Sequence, residues 1–235
     1  YKKAQKKKLT LAVIAVGGKL IDLAKKDGVP YVQLPNTGIQ PRSALGFSLR
    51  GLLKIFGMEK ELRETERLAK TLDVKKTENI GRDLAEKIKG HVPVIYASRA
   101  NETVAWNWKI KFNETGKVPA FYNVIPEMNH NEMNGFDVTP SSKHLSSLFH
   151  FILLNDATDD KRNRKRMEVV KKLYADRGLP VTALELTGKN YFAKVFTSLL
   201  IADWTALYTS ELYGLESEQV PMIEEFKKLI QSPPS

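Results

Sequence analysis

Residues 9–16 (LTLAVIAV) form an unbroken apolar run closed by Gly17 and Gly18, and apolar positions then return at helical spacing over residues 19–26. A short apolar run ending in turn residues predicts a buried strand, and the change of period predicts a helix behind it. A second strand is expected at residues 31–34, after the break at Asp27 and Gly28. The loop 35–40 then delivers Pro41, a residue suited to the first position of a helix because its missing N–H would have no partner there. Residues 42–88 keep a helical pattern, with Gly51 and Gly57 as joints and a charged amphipathic stretch at 59–72.

The same grammar resumes further on. Strands are expected at 93–96, 118–125, 148–154 and 181–186, and helices at 102–113, 159–177, 191–212 and 220–230. Alternating strands and helices argue for an α/β fold built on mainly parallel sheets flanked by helices. The expected organisation is a first lobe at 1–57, a helical connection at 58–90 and a second lobe at 91–235. Ligands of such sheets sit beyond the carboxyl ends of the strands, which directs attention to the loops 35–42 and 126–135.

The second of these loops is rich in chemistry. Within residues 128–138 a carboxylate, Glu132, stands among the amides of Asn131 and Asn134 and the imidazole of His130, with Gly135 behind. One base amid hydrogen-bonding groups suits a polyol substrate. Asn, Asp and Gly also make ordinary turns, because Asn and Asp bond their own backbone and tolerate unusual dihedrals, so a turn without chemistry stands as the alternative.

Composition narrows the choice. The 235 residues are 42% hydrophobic and 27% charged, as in a globular protein able to bury a core. The longest apolar runs fall well short of the roughly 20 residues that span a bilayer, and no signal-peptide pattern opens the chain, so no membrane partner is expected. With no cysteine, thiolate nucleophiles, disulfides and zinc–thiolate sites are excluded, which suits a reducing cytoplasm or a hot habitat. Of the four histidines no pair has the i, i+4 spacing of a helical zinc motif, so no metal is expected. The net charge of +10 is spread among interleaved carboxylates except for the run from Lys2 to Lys8. No nucleic-acid-binding motif accompanies it, so nucleic acid is not an expected partner, while a field that steers anionic metabolites is.

Three stretches carry a resemblance to a known family: Gly17, Gly18 and Lys19 leading to Gln40, Pro41, Arg42 and Ser43; Val118 and Pro119 leading to Pro126, Glu127, His130, Asn131 and Glu132; and residues 220–227 near the end. Together they resemble the sugar isomerase (SIS) proteins, and within them the bifunctional phosphoglucose/phosphomannose isomerases. The resemblance implies two SIS-type lobes, a hexose 6-phosphate substrate, no cofactor and a cytoplasmic homodimer whose ring-opening histidine comes from the neighbouring subunit. It makes Glu132 the base that moves a proton between C2 and C1 of the opened sugar, and Arg42 the cation facing the enediolate. His144 would open the ring, with His150 as its rival. Lys227 would approach the ring oxygen, with Lys228 as its rival. Asn131, Asn134 and Gln40 would bind substrate hydroxyls.

Two departures qualify what the resemblance implies. The family's serine/threonine-rich phosphate loop lies upstream of a segment like residues 1–9, so the first lobe is expected to lack its N-terminal part here. Family members also carry a threonine shortly before the C-terminal lysine, where this chain has Glu218. The resemblance therefore supports the glucose 6-phosphate reaction more strongly than the mannose 6-phosphate one. A sugar-phosphate-binding regulatory module without catalysis is the alternative reading.

Overall fold

Gly18 and Gly28, at φ +78° and +65°, punctuate the start of the chain where a side chain would be strained. Between them runs α2 (Lys19–Asp27), preceded by a short α1 (Lys2–Lys6) and by β1 (Val13–Ala15). The strand is shorter than the apolar run 9–16, because β2 (Tyr31–Gln33) offers only three residues to pair with it, in parallel. Val13, Ile21 and Ala24 form the small core here. A 3-10 turn at Pro41–Ser43 leads into α3 (Leu45–Ile55), and Gly57, at φ +67°, separates it from α4 (Glu59–Thr71).

The computed structural model of the chain describes residues 1–231. Tyr1 to Thr71 form one compact unit and the residues from Leu72 onward form another. The boundary falls inside the helical stretch 58–90 expected to connect two lobes. α4 belongs to the first unit, and α5 (Val74–Ile88), capped by the Asp73 carboxylate on the Lys76 N–H at 2.9 Å, belongs to the second.

The second unit is a four-stranded parallel sheet in the order β4-β3-β5-β6, from β3 (Val92–Ser98), β4 (Phe121–Ile125), β5 (Phe149–Asn155) and β6 (Val181–Glu185). The chain leaves β3 toward one side for β4 and returns past it for β5, so a topological switch point opens at the carboxyl ends of β3 and β5. The central strands are buried on both faces, which is why they read as continuous apolar runs.

Alternation along the strands sorts their side chains. Val94, Tyr96, Ile125, Phe151 and Leu153 share a core with Met167, Val170 and Tyr174 of α8 (Lys161–Asp176). Ile95, Ala97, Ile152 and Leu154 are buried on the opposite face. α6 (Glu102–Glu114) packs on β3, and α9 (Tyr191–Leu212) packs on both α5 and α6. The buried Trp108 indole donates to Ser198 at 2.9 Å, satisfying the one polar atom of a large apolar ring. α7 (Lys143–Ser146) is a single turn, and α10 (Pro221–Gln231) ends the described chain with no buried residue.

Candidate functional site

Pro126 ends β4 and two 3-10 turns follow, Glu127–Asn129 and Glu132–Phe136, so the segment is turn-rich as its Asn and Gly content predicts. It is nonetheless anchored. Met128 is fully buried in the sheet's core, and Phe136 packs edge-on against Phe149, Phe151 and Tyr174 at ring separations of 5.4, 4.8 and 5.8 Å. Between these two anchors the chain has little freedom, and Glu132 sits there half-buried.

Its carboxylate is held on both oxygens. The Tyr96 hydroxyl donates to Oε1 at 2.5 Å, and the Asn123 side-chain amide donates to Oε2. Tyr96 and Asn123 are register partners on adjacent strands, so both side chains rise from the same face of the sheet. Burial, then the neighbouring Tyr174 and Glu132, raises the Tyr96 phenol far above its ordinary value, so it remains a proton donor toward the carboxylate at any working pH. The Tyr174 hydroxyl lies near enough to influence it but is not in hydrogen-bonding geometry, and burial pushes that phenol up to about 12. Neither Tyr96 nor Asn123 was anticipated from the sequence. The one available signal was an amide in the middle of an otherwise apolar strand.

Asn131 and Asn134 are exposed on the turns flanking Glu132, joined by the Asn134 N–H to the Asn131 carbonyl at 3.1 Å. His144 is exposed on α7. His150 is buried near the amino end of β5, on the sheet face opposite to Tyr96, where its Nε2 meets the Thr182 hydroxyl at 2.9 Å. Burial and the neighbouring His91 push this imidazole down to about 4, the state of a neutral core histidine. Lys227 is exposed on α10 and pairs with Glu224 at 2.7 Å, not with Glu132. In the first unit Arg42 is buried, and Gln40 lines a cavity of about 350 Å³ with Ala15, Val16, Leu34 and Ser48 at the carboxyl end of β1.

A second polar cluster, also unanticipated, occupies the switch point of the larger sheet. The Lys194 ammonium donates to Asp156 at 2.5 Å and to Thr158 at 3.3 Å, while Asn101 donates to Asp156 at 3.0 Å and to Ser98 at 3.2 Å. Ser98 in turn donates to Asp159 at 2.7 Å. Burial alone would raise the Asp156 carboxyl, but the hydrogen bonds from Lys194, Thr158 and Asn101 outweigh it and hold it at about 2. Burial and the nearby Asp156 charge raise Asp159 despite the Ser98 bond. Asp156 and Asp159 thus stand together at the carboxyl end of β5, with the Lys194 ammonium paired to the first of them.

Comparison with known proteins supplies the family. Residues 77–230 match the model of the bacterial phospho-glucose isomerase C-terminal SIS domain. A bifunctional phosphoglucose/phosphomannose isomerase from Aquifex aeolicus is 34% identical over 217 residues, covering 92% of this chain and 66% of the relative. One from Caldicellulosiruptor bescii is 33% identical, covering 97% of this chain and 70% of the relative. The chain thus spans about two thirds of the length of these relatives. Among solved structures, a glucose-6-phosphate isomerase-like protein from Thermus thermophilus matches with a TM-score of 0.60 at 18% identity, covering 90% of this chain and 77% of that one. A glucosamine-6-phosphate deaminase from Thermotoga maritima matches with the same TM-score of 0.60 at 13% identity, covering 93% of this chain and 67% of that one. At such identities these structures speak for the fold, while the sequence matches establish that the chain belongs to the bifunctional phosphoglucose/phosphomannose isomerase family of SIS-domain proteins.

Proposed function

We propose that the protein to which this chain belongs interconverts glucose 6-phosphate and fructose 6-phosphate by proton transfer through an enediol, with mannose 6-phosphate as a further substrate and no cofactor. The observation that carries this reading is the Glu132 carboxylate, half-buried on an anchored loop beyond β4 with both oxygens held. The relatives' names supply the reaction class: those at 34% and 33% identity are both phosphoglucose/phosphomannose isomerases.

In this mechanism Glu132 takes the proton from C2 of the opened aldose. The electron pair moves into a C1–C2 double bond, and the former carbonyl oxygen O1 gains the charge. A proton passes from O2 to O1, the C2 carbonyl forms, and Glu132 returns its proton to C1 to give the ketose. General-base catalysis of this kind contributes about 10² to 10⁴-fold. Arg42 is assigned to the enediolate, whose charge exists only along the reaction path, where a fixed cation acts most selectively. Asn131, Asn134 and Gln40 are assigned to substrate hydroxyls, His144 to ring opening and Lys227 to the ring oxygen.

His144 is preferred to His150 on two grounds: exposure leaves its imidazole accessible, and His150 is committed to the core on the other face of the sheet. A homodimer follows from the same reading. The exposed His144 can serve a neighbouring subunit, and α10 presents Met222, Phe226, Leu229 and Ile230 uncovered, an apolar face suited to burial against a second copy. A phosphorylated sugar substrate and a chain without cysteine favour a cytoplasmic location. No helix among the described residues is long and apolar enough to cross a membrane.

The test is a coupled assay of the full-length protein on glucose 6-phosphate and mannose 6-phosphate without added metal or nucleotide. Turnover of the first is the expected result. Tight binding of fructose 6-phosphate with no interconversion would replace the isomerase by a sugar-phosphate sensor.

A further inference from the structure

We propose that Tyr96 and Asn123 are positioning residues that fix the plane and direction of the Glu132 carboxylate, so that its reactive lone pair is aimed before the sugar arrives. The inference rests on the reading of Glu132 as the base. It stands on how the two donors are mounted. Tyr96 is fully buried in β3, its ring stacked on Phe151 at 5.7 Å and 24°, so its hydroxyl has one place to be. Asn123 is its register partner on β4, and its own side-chain oxygen accepts from the Val124 N–H at 2.7 Å, which fixes the amide. Two rigid strands therefore offer two rigid donors, one to each oxygen of a side chain that comes from a separate loop.

Glu has three rotatable bonds before its carboxylate and loses much rotamer freedom when held. A free glutamate on a turn would spend most of its time pointing away from C2. With both oxygens tied, rotation about the last bond is stopped. Both donors act through Glu132, the group their hydrogen bonds reach. Their contribution is to the fraction of bound complexes in which the base is aligned, which alters kcat and leaves substrate affinity alone.

The experiment compares Tyr96→Phe, Asn123→Leu and Glu132→Gln in the full-length protein, by steady-state kinetics on glucose 6-phosphate and by thermal unfolding. Tyr96→Phe keeps the stacked ring and removes the donor alone. The expected result is a kcat lower by about tenfold with KM within about twofold of wild type and an unchanged unfolding midpoint. Asn123→Leu, which alters no ring of the core, is expected to show the same split and decides the matter if Tyr96→Phe does not fold. Wild-type kcat in both donor variants beside an inactive Glu132→Gln overturns the positioning role and leaves the isomerase reading intact. An active Glu132→Gln overturns the positioning role together with the reading of Glu132 as the base.

Discussion

Lys194 on α9 and Asp156 at the end of β5 form an ion pair at 2.5 Å whose side chains are only 14% and 4% exposed. A pair this dry is held by the bonds around it: Thr158 and Asn101 complete the carboxylate's shell. Removing one partner leaves a buried charge without compensation, which typically costs about 3 to 5 kcal/mol. Lys194→Met is therefore expected to lower the unfolding free energy by about 3 kcal/mol, measured by urea titration near neutral pH. Adding Asp156→Asn to it should recover part of the loss.

The same pair has a pH signature. Asp156 is held at about 2, below the ordinary carboxyl value of 3.8, so the folded state binds its proton less readily than the unfolded chain. Its stabilising contribution is present above pH 3.8 and lost as pH falls from 3.8 toward 2. In Lys194→Met this acid loss should shrink or reverse, because without that bond burial raises the folded carboxyl back toward or above its unfolded value.

His150 acts in a separate window. Its imidazole is depressed from 6.5 to about 4, so protons bind the unfolded chain first. Stability is full above pH 6.5 and falls between 6.5 and 4, by about 3 kcal/mol in total if no other group intervenes. Replacing the residue by Gln should flatten the stability profile of the protein over that interval while leaving turnover at neutral pH unchanged. A profile that stays steep would place the titrating group elsewhere.

Gly81 tests the helix packing. A Cβ there would lie 2.4 Å from the Trp204 Cβ, 2.9 Å from the Thr205 nitrogen and 3.1 Å from the Ile201 oxygen, so α5 and α9 approach where only a hydrogen fits. Gly81→Ala is expected to destabilise by about 1 to 3 kcal/mol, read from thermal or urea unfolding, despite alanine's better helix propensity.

How far the sequence foretells the structure depends on the range of each interaction. α9 is found at the expected residues because an apolar stretch is bounded by Asn190, whose side chain accepts from the Ala193 N–H at 2.8 Å, and by Gly214 at φ +65°. The central strands β3 and β5 were visible because both their faces are buried. Gly51 was expected to be a joint, yet it lies inside α3. A Cβ there would come within 3.2 Å of Ile14, a packing demand no local pattern displays. The same holds for the candidate site. Glu132 stood out among the amides and imidazole around it, but the donors that hold it come from strand positions 36 and 9 residues away. Their meeting depends on strand register, which the sequence does not spell out. Lys194 and Asp156, 38 residues apart, met for the same reason.

Whether Glu132 moves the proton between C2 and C1 can be read from exchange of the C2 hydrogen of glucose 6-phosphate with deuterated water, followed by NMR, for the full-length protein and its Glu132→Gln variant. Exchange is expected to fall by about 10² to 10⁴-fold in the variant while the unfolding midpoint holds. Exchange at the wild-type rate would contradict the role of Glu132 as the base.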